Sequence, residues 1–195
     1  MLFYLLIQAN ILIDRDWHAR LADFGLLTIV SDPTSLTASS SYVAGGTTRW
    51  MSPELLNPNL FGFTSDIRPT KESDCYALGM VVLEVFSGQP PFASDKDFIV
   101  IQKVMGGEHP GRPEGLEGAW FTDDLWGMLE LCWATQPENR PSVEAVLERL
   151  EQFSRAWEPP SLEVDGGVGA DKDDLNHTIV SDRFALALNV SLTLF

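Results

Sequence analysis

The sequence predicts a mainly α-helical domain that contains one short β-hairpin. Apolar residues recur at three- and four-residue spacing in three stretches between residues 71 and 153, which is the period of an amphipathic helix. Near the N-terminus, two short apolar runs flank a polar stretch at 15–19, which is typical of a hairpin. The chain has 195 residues, of which 45% are hydrophobic, so we expect one domain with a core, plus a tail.

The hairpin is predicted to pair a strand at 10–14 with a strand at 21–25 around a turn at 15–19. Three helices are expected after it, at 71–86, 123–133 and 143–153. Thr122 and Ser142 directly precede the second and third helices and are the expected N-caps. The apolar stripes of the three helices are Leu78, Val81, Val82 and Val85; Leu125, Met128, Leu129 and Cys132; and Val143, Val146, Leu147 and Leu150.

The organisation of the chain changes near Trp157. Residues 158–183 combine Pro and Gly pairs with an acidic cluster, a composition typical of a disordered linker. The apolar run at 1–7 lacks a basic flank and is too short to span a bilayer, so we expect a buried strand or turn there. We therefore divide the chain into an atypical N-terminal segment (1–9), a helical body (10–156) and an acidic tail (157–195).

The charge and the cysteines limit the classes of function. With 13 basic and 28 acidic residues the formal net charge is -15, which disfavours nucleic acid and anionic membranes as partners. Cys75 and Cys132 both lie in apolar helical stretches, without the Cys and His spacing of a zinc site. Two buried, reduced thiols predict an intracellular protein, cytoplasmic or nuclear.

Five landmarks occur along the chain in a fixed order. They are Asn10, Asp23-Phe24-Gly25, Ser52-Pro53-Glu54, Asp74, and Arg140-Pro141 after Cys132-Trp133. In this order and at this spacing they resemble the large lobe of a eukaryotic protein kinase of the tyrosine-kinase-like Ser/Thr group. The resemblance implies transfer of the ATP γ-phosphoryl group to a protein hydroxyl. The sequence holds no glycine-rich loop before Asn10, so the expected fold is a protein-kinase large lobe lacking the small lobe.

The resemblance implies a metal and nucleotide site at the hairpin. Asn10 and Asp23 match the family's Mg²⁺ ligands, and Leu12 matches the residue that packs beneath the adenine of ATP. Amide and carboxylate oxygens are suitable ligands, because Mg²⁺ must be held against the nucleotide phosphates. From the residues alone, Asn10 could equally be a turn former, and Asp23-Phe24-Gly25 an ordinary Asp/Gly turn.

By the resemblance, residues 26–50 correspond to the activation segment of a protein kinase. It is rich in hydroxyl side chains that phosphorylation could order, although a flexible loop with incidental hydroxyls is an open alternative. Thr47 lies seven residues before Glu54, at the position where the family's Ser/Thr kinases have a Thr that contacts the catalytic loop. Ser/Thr specificity is therefore expected for the lineage.

The resemblance also implies a clamp and one anchoring residue. Glu54 and Arg140 are expected to pair and to clamp the activation segment to the helical body, because a buried carboxylate needs a cation. The alternative for Arg140 is a residue that merely precedes a helix. Asp74 matches the residue that anchors the backbone of the catalytic loop. The segment 57–69 is longer than usual and is expected to be a surface insertion.

The catalytic loop is where this chain departs from the family pattern. Leu5 occupies the position of the base Asp and Ile7 the position of the Lys, while Phe3 and Tyr4 occupy those of the His and Arg. We therefore expect no catalytic base and no activity from this chain alone. Two hypotheses remain: a Ser/Thr kinase whose true catalytic loop is not what stands at 1–8, or a non-catalytic, pseudokinase-like binding module. An unstable translation product is a third possibility.

Overall fold

The computed structural model describes residues 11–13, 15, 19–21, 48–63, 69–118 and 121–156. These residues form one hairpin followed by a mostly helical body. The strands are β1 (Ile11–Ile13) and β2 (Ala19–Leu21). The helices are α1 (Pro53–Leu56), α2 (Lys71–Ser87), α3 (Asp97–Met105), α4 (Gly115–Gly118), α5 (Asp123–Cys132) and α6 (Val143–Ala156). Short 3-10 helices lie at Thr48–Trp50, Pro58–Phe61 and Pro137–Asn139. The prediction of a mainly α fold with a short hairpin is confirmed.

The hairpin is antiparallel, and its second strand begins earlier than expected. Ile11 pairs with Leu21, Leu12 with Arg20 and Ile13 with Ala19. Because Ile13 pairs with Ala19, the connection is confined to residues 14–18 and Ala19 belongs to the strand. The predicted turn at 15–19 was therefore placed one residue too late, and the predicted second strand at 21–25 overlaps β2 only at Leu21.

Helix α2 is the central element of the helical body. Every residue from Ser73 to Glu84 is buried, so the helix is packed on all sides rather than on one. Of the predicted stripe, Leu78, Val81 and Val82 are buried and Val85 is half-buried, and Cys75 and Met80 outside that stripe are buried as well. The Thr70 hydroxyl accepts a hydrogen bond from the Ser73 N–H at 3.2 Å, and the Ser73 hydroxyl accepts one from the Thr70 N–H at 2.8 Å. This reciprocal cap fixes the start of α2.

Helices α5 and α6 pack against α2, and both predicted caps are present. The hydroxyl of Thr122 accepts from the N–H of Leu125 at 3.2 Å, and that of Ser142 accepts from the N–H of Ala145 at 3.2 Å. Helix α5 ends one residue earlier than predicted, and α6 continues to Ala156, three residues further. The predicted stripes of both helices are buried, except that Leu147 is half-buried.

Helix α3 was not predicted from the sequence. It buries Val100 and Val104, which are one helical turn apart, and it packs against α1 and against the 3-10 helix Thr48–Trp50. Of the expected insertion at 57–69, the structure describes residues 57–63, which lie at the surface with Leu60 68% exposed, and Pro69, which is buried. Neither this segment nor the packing of α3 disturbs the core around α2.

Three expectations concern residues outside the described part of the chain. The N-terminal segment 1–9, residues 26–47 of the expected activation segment and the acidic tail 157–195 lie there, so their predicted character stays a prediction. Within the described residues, no helix has both the length and the apolar character needed to cross a membrane.

Candidate functional site

The strongest interaction among the predicted site residues joins Glu54 and Arg140. Glu54 lies in α1, and Arg140 directly follows the 3-10 helix Pro137–Asn139. The two Nη atoms of Arg140 donate to the two Oε atoms of Glu54, each at 2.7 Å. The side chain of Arg140 is 0% exposed and that of Glu54 is 2% exposed. The structure therefore brings the expected pair together as a buried, bidentate ion pair across 86 residues of sequence.

The remaining donors of Arg140 are also satisfied. Its Nε donates to the carbonyl of Ala134 at 2.8 Å, and its two Nη atoms donate further to the carbonyls of Glu72 at 2.9 Å and Thr135 at 3.4 Å. All five N–H groups of the guanidinium thus have an acceptor, which offsets the cost of burying its charge. The guanidinium also lies over the ring of Tyr76, 5.1 Å from the ring centroid.

The hydroxyl of Tyr76 is affected by the same pair. Tyr76 is fully enclosed beside the guanidinium, and burial raises the pKa of its hydroxyl above the usual range. The positive charge of Arg140 opposes this rise, and the negative charge of Glu54 adds to it. Tyr76 therefore stays neutral and serves as a packing surface for the ion pair.

Trp50 connects the segment before α1 to the central helix. Its indole Nε1 donates to Glu84 Oε2 on α2 at 3.0 Å. Burial raises the pKa of the Glu84 carboxyl, and the hydrogen bond from Trp50 partly opposes that effect. Glu84 is 6% exposed, so this carboxyl is a buried acceptor for the indole.

Arg49 forms a second anchor, to the loop before α3. Its Nη1 donates to the carbonyls of Pro91 at 2.9 Å and Phe92 at 2.6 Å, and its Nη2 donates to the carbonyl of Asp95 at 2.6 Å. Nη2 also lies 3.0 Å from Asp97 Oδ1. Arg49 is therefore fixed to the loop before α3, Trp50 to α2, and Glu54 to Arg140.

Asp74 lies in the first turn of α2 and is buried, with 3% of its surface exposed. Its backbone N–H donates to the carbonyl of Thr70 at 3.0 Å. The backbone that the resemblance places against its carboxylate belongs to the residues before Asn10, which lie outside the described part of the chain. Its anchoring role therefore stays a prediction.

Comparison with known proteins decides the family. A sequence model described as protein tyrosine and serine/threonine kinase matches residues 5–150. The chain belongs to this kinase family. The match covers the hairpin and the whole helical body as far as Leu150 in α6.

Relatives of this kinase lobe include both serine/threonine and tyrosine kinases. Receptor-interacting serine/threonine-protein kinase 3 of Rattus norvegicus is 33% identical over 146 residues, covering 70% of this chain and 28% of that protein. Probable serine/threonine-protein kinase drkA of Dictyostelium discoideum is 32% identical over 145 residues, covering 74% and 20%. Tyrosine-protein kinase Srms of Homo sapiens is 28% identical over 147 residues, covering 75% and 27%. The chain thus spans less than a third of each of these relatives.

The residues expected to face the nucleotide fall mostly outside the described residues. Leu12 lies in β1, paired with Arg20, but its side chain is not described. Leu5, Asn10, Asp23 and Thr47 lie outside the described part of the chain, so the roles expected for them stay predictions.

Sequence reasoning missed two residues of the kinase lobe that the structure places at the site. Arg49 and Trp50 directly precede Met51 and the Ser-Pro-Glu triplet, and this adjacency was the available signal. Their partners gave no signal, since Arg49 binds mainly backbone carbonyls 42 to 46 residues away, which any sequence could supply.

Proposed function

We propose that this lobe belongs to a serine/threonine protein kinase domain, and that the 195-residue chain by itself does not transfer phosphate. The observation that supports the kinase proposal most is the buried ion pair between Glu54 and Arg140. It joins the segment that would follow the activation segment to the helical body, which is the clamp that the family requires. A buried ion pair often adds no more stability than an apolar pair would, so its presence at the two positions that the family uses for the clamp supports the proposal.

Serine/threonine specificity is supported by Thr47. This residue precedes Glu54 by seven positions, as it does in the Ser/Thr members of the family. Two of the three relatives described above are serine/threonine kinases by name and one is a tyrosine kinase, so the proposed serine/threonine specificity rests on Thr47.

ATP and Mg²⁺ would bind beside the hairpin in the intact domain. Ile11 pairs with Leu21, so the chain enters β1 and leaves β2 at the same end of the hairpin. Asn10 and Asp23 lie one residue before and two residues after these paired positions in sequence. An amide and a carboxylate at that end suit Mg²⁺, which would neutralise charge on the phosphates of ATP. Leu12, in β1, would pack under the adenine.

The proposed inactivity rests on the residues before Asn10. Leu5 stands in the position of the catalytic base and Ile7 in that of the phosphate-contacting Lys. Neither side chain can accept a proton or stabilise negative charge. Phosphoryl transfer depends on positioning and on electrostatic stabilisation, so their replacement should reduce the rate to background.

A radiolabel assay tests this proposal. Purified chain is incubated with Mg²⁺, ATP labelled on the γ-phosphate and casein as a generic protein substrate. We expect incorporation equal to that of a sample without the chain, and the same result for the Asp23→Ala variant. Incorporation that Asp23→Ala abolishes would contradict the proposed inactivity.

A non-catalytic binding module is the second candidate. It is favoured by the combination of Leu5 in the base position with a completely packed body around α2. The genomic sequence upstream of codon 10 discriminates between the two candidates. An open frame that encodes His-Arg-Asp and a glycine-rich loop would support the kinase, and its absence would support the binding module.

Melting with and without Mg-ATP tests nucleotide binding by this chain. With Leu5 and Ile7 at the catalytic positions, we expect little or no increase in the melting temperature, because stabilisation follows the ratio of ligand concentration to dissociation constant. An increase of several degrees that Asp23→Ala removes would mean that the hairpin end binds nucleotide.

A further inference from the structure

Helix α3 is apolar on two faces. Val100 and Val104 are buried in the core. Phe98, Ile101 and Met105 are spaced three and four residues apart and share another face of the helix. On that face Phe98 is 58% exposed, and Ile101 and Met105 are half-buried. Because a helix that is apolar all round is typical of an element covered on all sides, the face of Phe98 indicates a contact with another surface.

The other helices of the lobe have ordinary solvent-facing sides. Helix α6 exposes polar residues such as Glu144, Glu148 and Arg149 opposite its buried stripe. In α5, Leu131 is 57% exposed, but it follows the exposed Glu130 and is a single apolar residue, as is common on protein surfaces. The exposed apolar row of α3 is therefore a feature of this helix and not of the lobe in general.

The apolar surface extends from α3 toward the 3-10 helix Pro58–Phe61. Helix α1 contacts both of these elements and so brings them near each other. Leu60, in the 3-10 helix, is 68% exposed, and Phe63, just after it, is 44% exposed. Helix α3 has nine residues and a length of about 14 Å, which is too short to bury the roughly 800 Å² per partner of a standard interface by itself. Together with Leu60 and Phe63, the surface has the size of a weak, reversible interface.

Charges of opposite sign flank α3 at its two ends. Lys96 directly precedes the helix and Glu108 follows its C-terminal cap, and both are exposed. The charged residues within the helix, Asp97 and Lys103, already form ion pairs inside the chain. The apolar row therefore lies between an exposed positive charge at one end and an exposed negative charge at the other.

A surface with this arrangement is complementary to a second copy of itself. When two copies of α3 pack antiparallel about a two-fold axis near residues 101 and 102, Phe98 of one copy lies opposite Met105 of the other. Lys96 then lies opposite Glu108, because both pairs of positions are centred on nearly the same point of the sequence. A thioether beside an aromatic ring is a favourable contact, and opposite charges meet at both ends. A parallel arrangement would instead bring Lys96 against Lys96.

We propose that the chain forms a two-fold symmetric dimer through the face of α3 that carries Phe98, with the two helices antiparallel and with Leu60 and Phe63 at the edge of the interface. The net charge of -15 on each copy opposes association. At a salt concentration of about 0.15 M, however, the Debye length is about 8 Å, so charges far from the interface repel each other little. For an interface of this size we expect a dissociation constant on the order of 10 μM.

Sedimentation velocity of the full chain tests the dimer, at concentrations from about tenfold below to tenfold above that dissociation constant. We expect the average mass to rise with concentration from 21.6 kDa toward twice that value. Phe98→Ser should weaken the dimer at least about tenfold, because the lost apolar contact occurs twice in a symmetric dimer. Leu131→Ser is the matched control, since Leu131 is as exposed as Phe98 but lies in α5, and it should dimerise as the parent does.

Charge reversal tests the antiparallel orientation. Lys96→Glu and Glu108→Lys each place like charges opposite each other at both ends, and each should weaken the dimer about fivefold. An equimolar mixture of the two variants should recover the affinity of the parent, because a mixed dimer again pairs opposite charges at both ends. A general effect of net charge would instead move the two variants in opposite directions, since one makes the chain more negative and the other less.

The remaining outcomes overturn the proposal in distinct ways. A monomer at every concentration would overturn the dimer. If, in that monomer, Phe98→Ser also shifts the amide signals of the alternating apolar segment 184–195, the chain's own C-terminal segment covers the face instead. Equal effects of Phe98→Ser and Leu131→Ser would overturn the assignment to α3, and a mixture that stays as weak as its components would overturn the antiparallel pairing. Should Phe98→Ser fail to fold, the two charge variants and their mixture decide the question. None of these measurements involves ATP, so a negative result leaves the proposed kinase function intact.

Discussion

Two arginines connect distant segments of the chain by the same kind of contact. Arg140 donates hydrogen bonds to one carboxylate and three carbonyls. Arg49 donates to three carbonyls and pairs with the carboxylate of Asp97. A lysine could not replace either one, because its ammonium is a point charge without a planar fork of donors. The difference between the two is burial: the side chain of Arg49 is 16% exposed, whereas that of Arg140 is fully buried.

Arg49→Lys should loosen the loop before α3 without unfolding the body. The lysine keeps the charge near Asp97 but cannot reach three carbonyls at once. We expect amide hydrogen exchange in residues 91–97 to accelerate about tenfold, as expected for lost charge-assisted hydrogen bonds. Exchange in the core of α2 should be unchanged, and Arg155→Lys, on the exposed pair with Glu151, should change neither region. Equal acceleration everywhere would mean that Arg49 supports global stability instead.

Glu84 should give the lobe an unusual pH response. Its carboxyl has a pKa raised above the ordinary value of 4.5, so the folded state binds this proton more tightly than the unfolded state does. The contribution of Glu84 to the free energy of unfolding is therefore largest below pH 4.5 and is lost as the pH rises through the raised pKa. Glu84→Gln mimics the protonated form and can still accept from Trp50. We expect the variant to be more stable than the parent at neutral pH, with the difference shrinking as the pH falls toward 4.5 in urea titrations. A difference that does not vary with pH would contradict the raised pKa.

The sequence predicted a contact between two residues correctly where both residues belong to recognisable motifs. Glu54 and Arg140 were paired in advance because each belongs to a recognisable triplet or doublet. Arg49 and Trp50 were missed because their partners are backbone carbonyls and a Glu in the middle of a helix. Such partners leave no pattern in the sequence, since only the folded chain determines which carbonyl faces which arginine.

At the scale of elements, the fold depends on the close approach of α2 and α5. A Cβ atom at Gly79 would lie 2.7 Å from Trp133 Nε1 and 2.9 Å from Cys132 Cβ. Glycine is therefore needed at this position for packing, since the backbone of α2 is an ordinary helix there. Cys75, one turn before Gly79, faces the same neighbour, and its thiol is within hydrogen-bonding reach of the Cys132 thiol.

Gly79→Ala should destabilise the lobe although alanine is the better helix former. The added methyl group overlaps the rigid indole of Trp133, and overpacking of this kind costs about 1–3 kcal/mol. Gly127→Ala in α5 is the matched control, because a Cβ there meets nothing within 4 Å. That control should be neutral or stabilising by up to about 1 kcal/mol. Urea unfolding of both variants measures this difference, and equal effects would contradict the close approach.

The two thiols at this interface should be unreactive in the folded protein. The contact with the Cys75 thiol and burial together raise the pKa of the Cys132 thiol well above its ordinary value, so little thiolate forms. We expect no modification of either cysteine by iodoacetamide at mildly alkaline pH, and complete modification in guanidinium chloride, as measured by intact mass. Rapid labelling of the native chain would show that α2 and α5 are not packed as described.

Sequence patterns located the elements that have a long repeat and a cap. Helices α2, α5 and α6 begin where predicted, and the predicted caps Thr122 and Ser142 directly precede α5 and α6. Helix α3 was missed because it has nine residues, only two buried positions and no side-chain cap. The apolar stripe predicted for α2 understated the burial of this helix, since a helix surrounded by others on all sides buries residues outside one face as well.

At the scale of the whole molecule, one continuous hydrophobic core connects the helices of the kinase lobe. Buried side chains of α2 contact those of α5 and α6, and Trp50 and Leu56 pack against the same cluster. The family could be predicted from five ordered landmarks, because their chemistry fixes their spacing. An open pocket beside α3 could not be predicted, because its lining comes from four separate segments of the chain.

The ion pair between Glu54 and Arg140 is the contact that makes these elements a kinase lobe, and a double-mutant cycle measures it directly. Glu54→Gln, Arg140→Met and the double variant are compared with the parent by urea unfolding. Each single variant leaves one buried partner unsatisfied and should lose about 3–5 kcal/mol. The double variant should lose clearly less than the sum, with a coupling energy of at least about 2 kcal/mol. The same cycle on the exposed pair of Glu151 and Arg155 should show no measurable coupling. Additive losses at Glu54 and Arg140 would contradict the clamp.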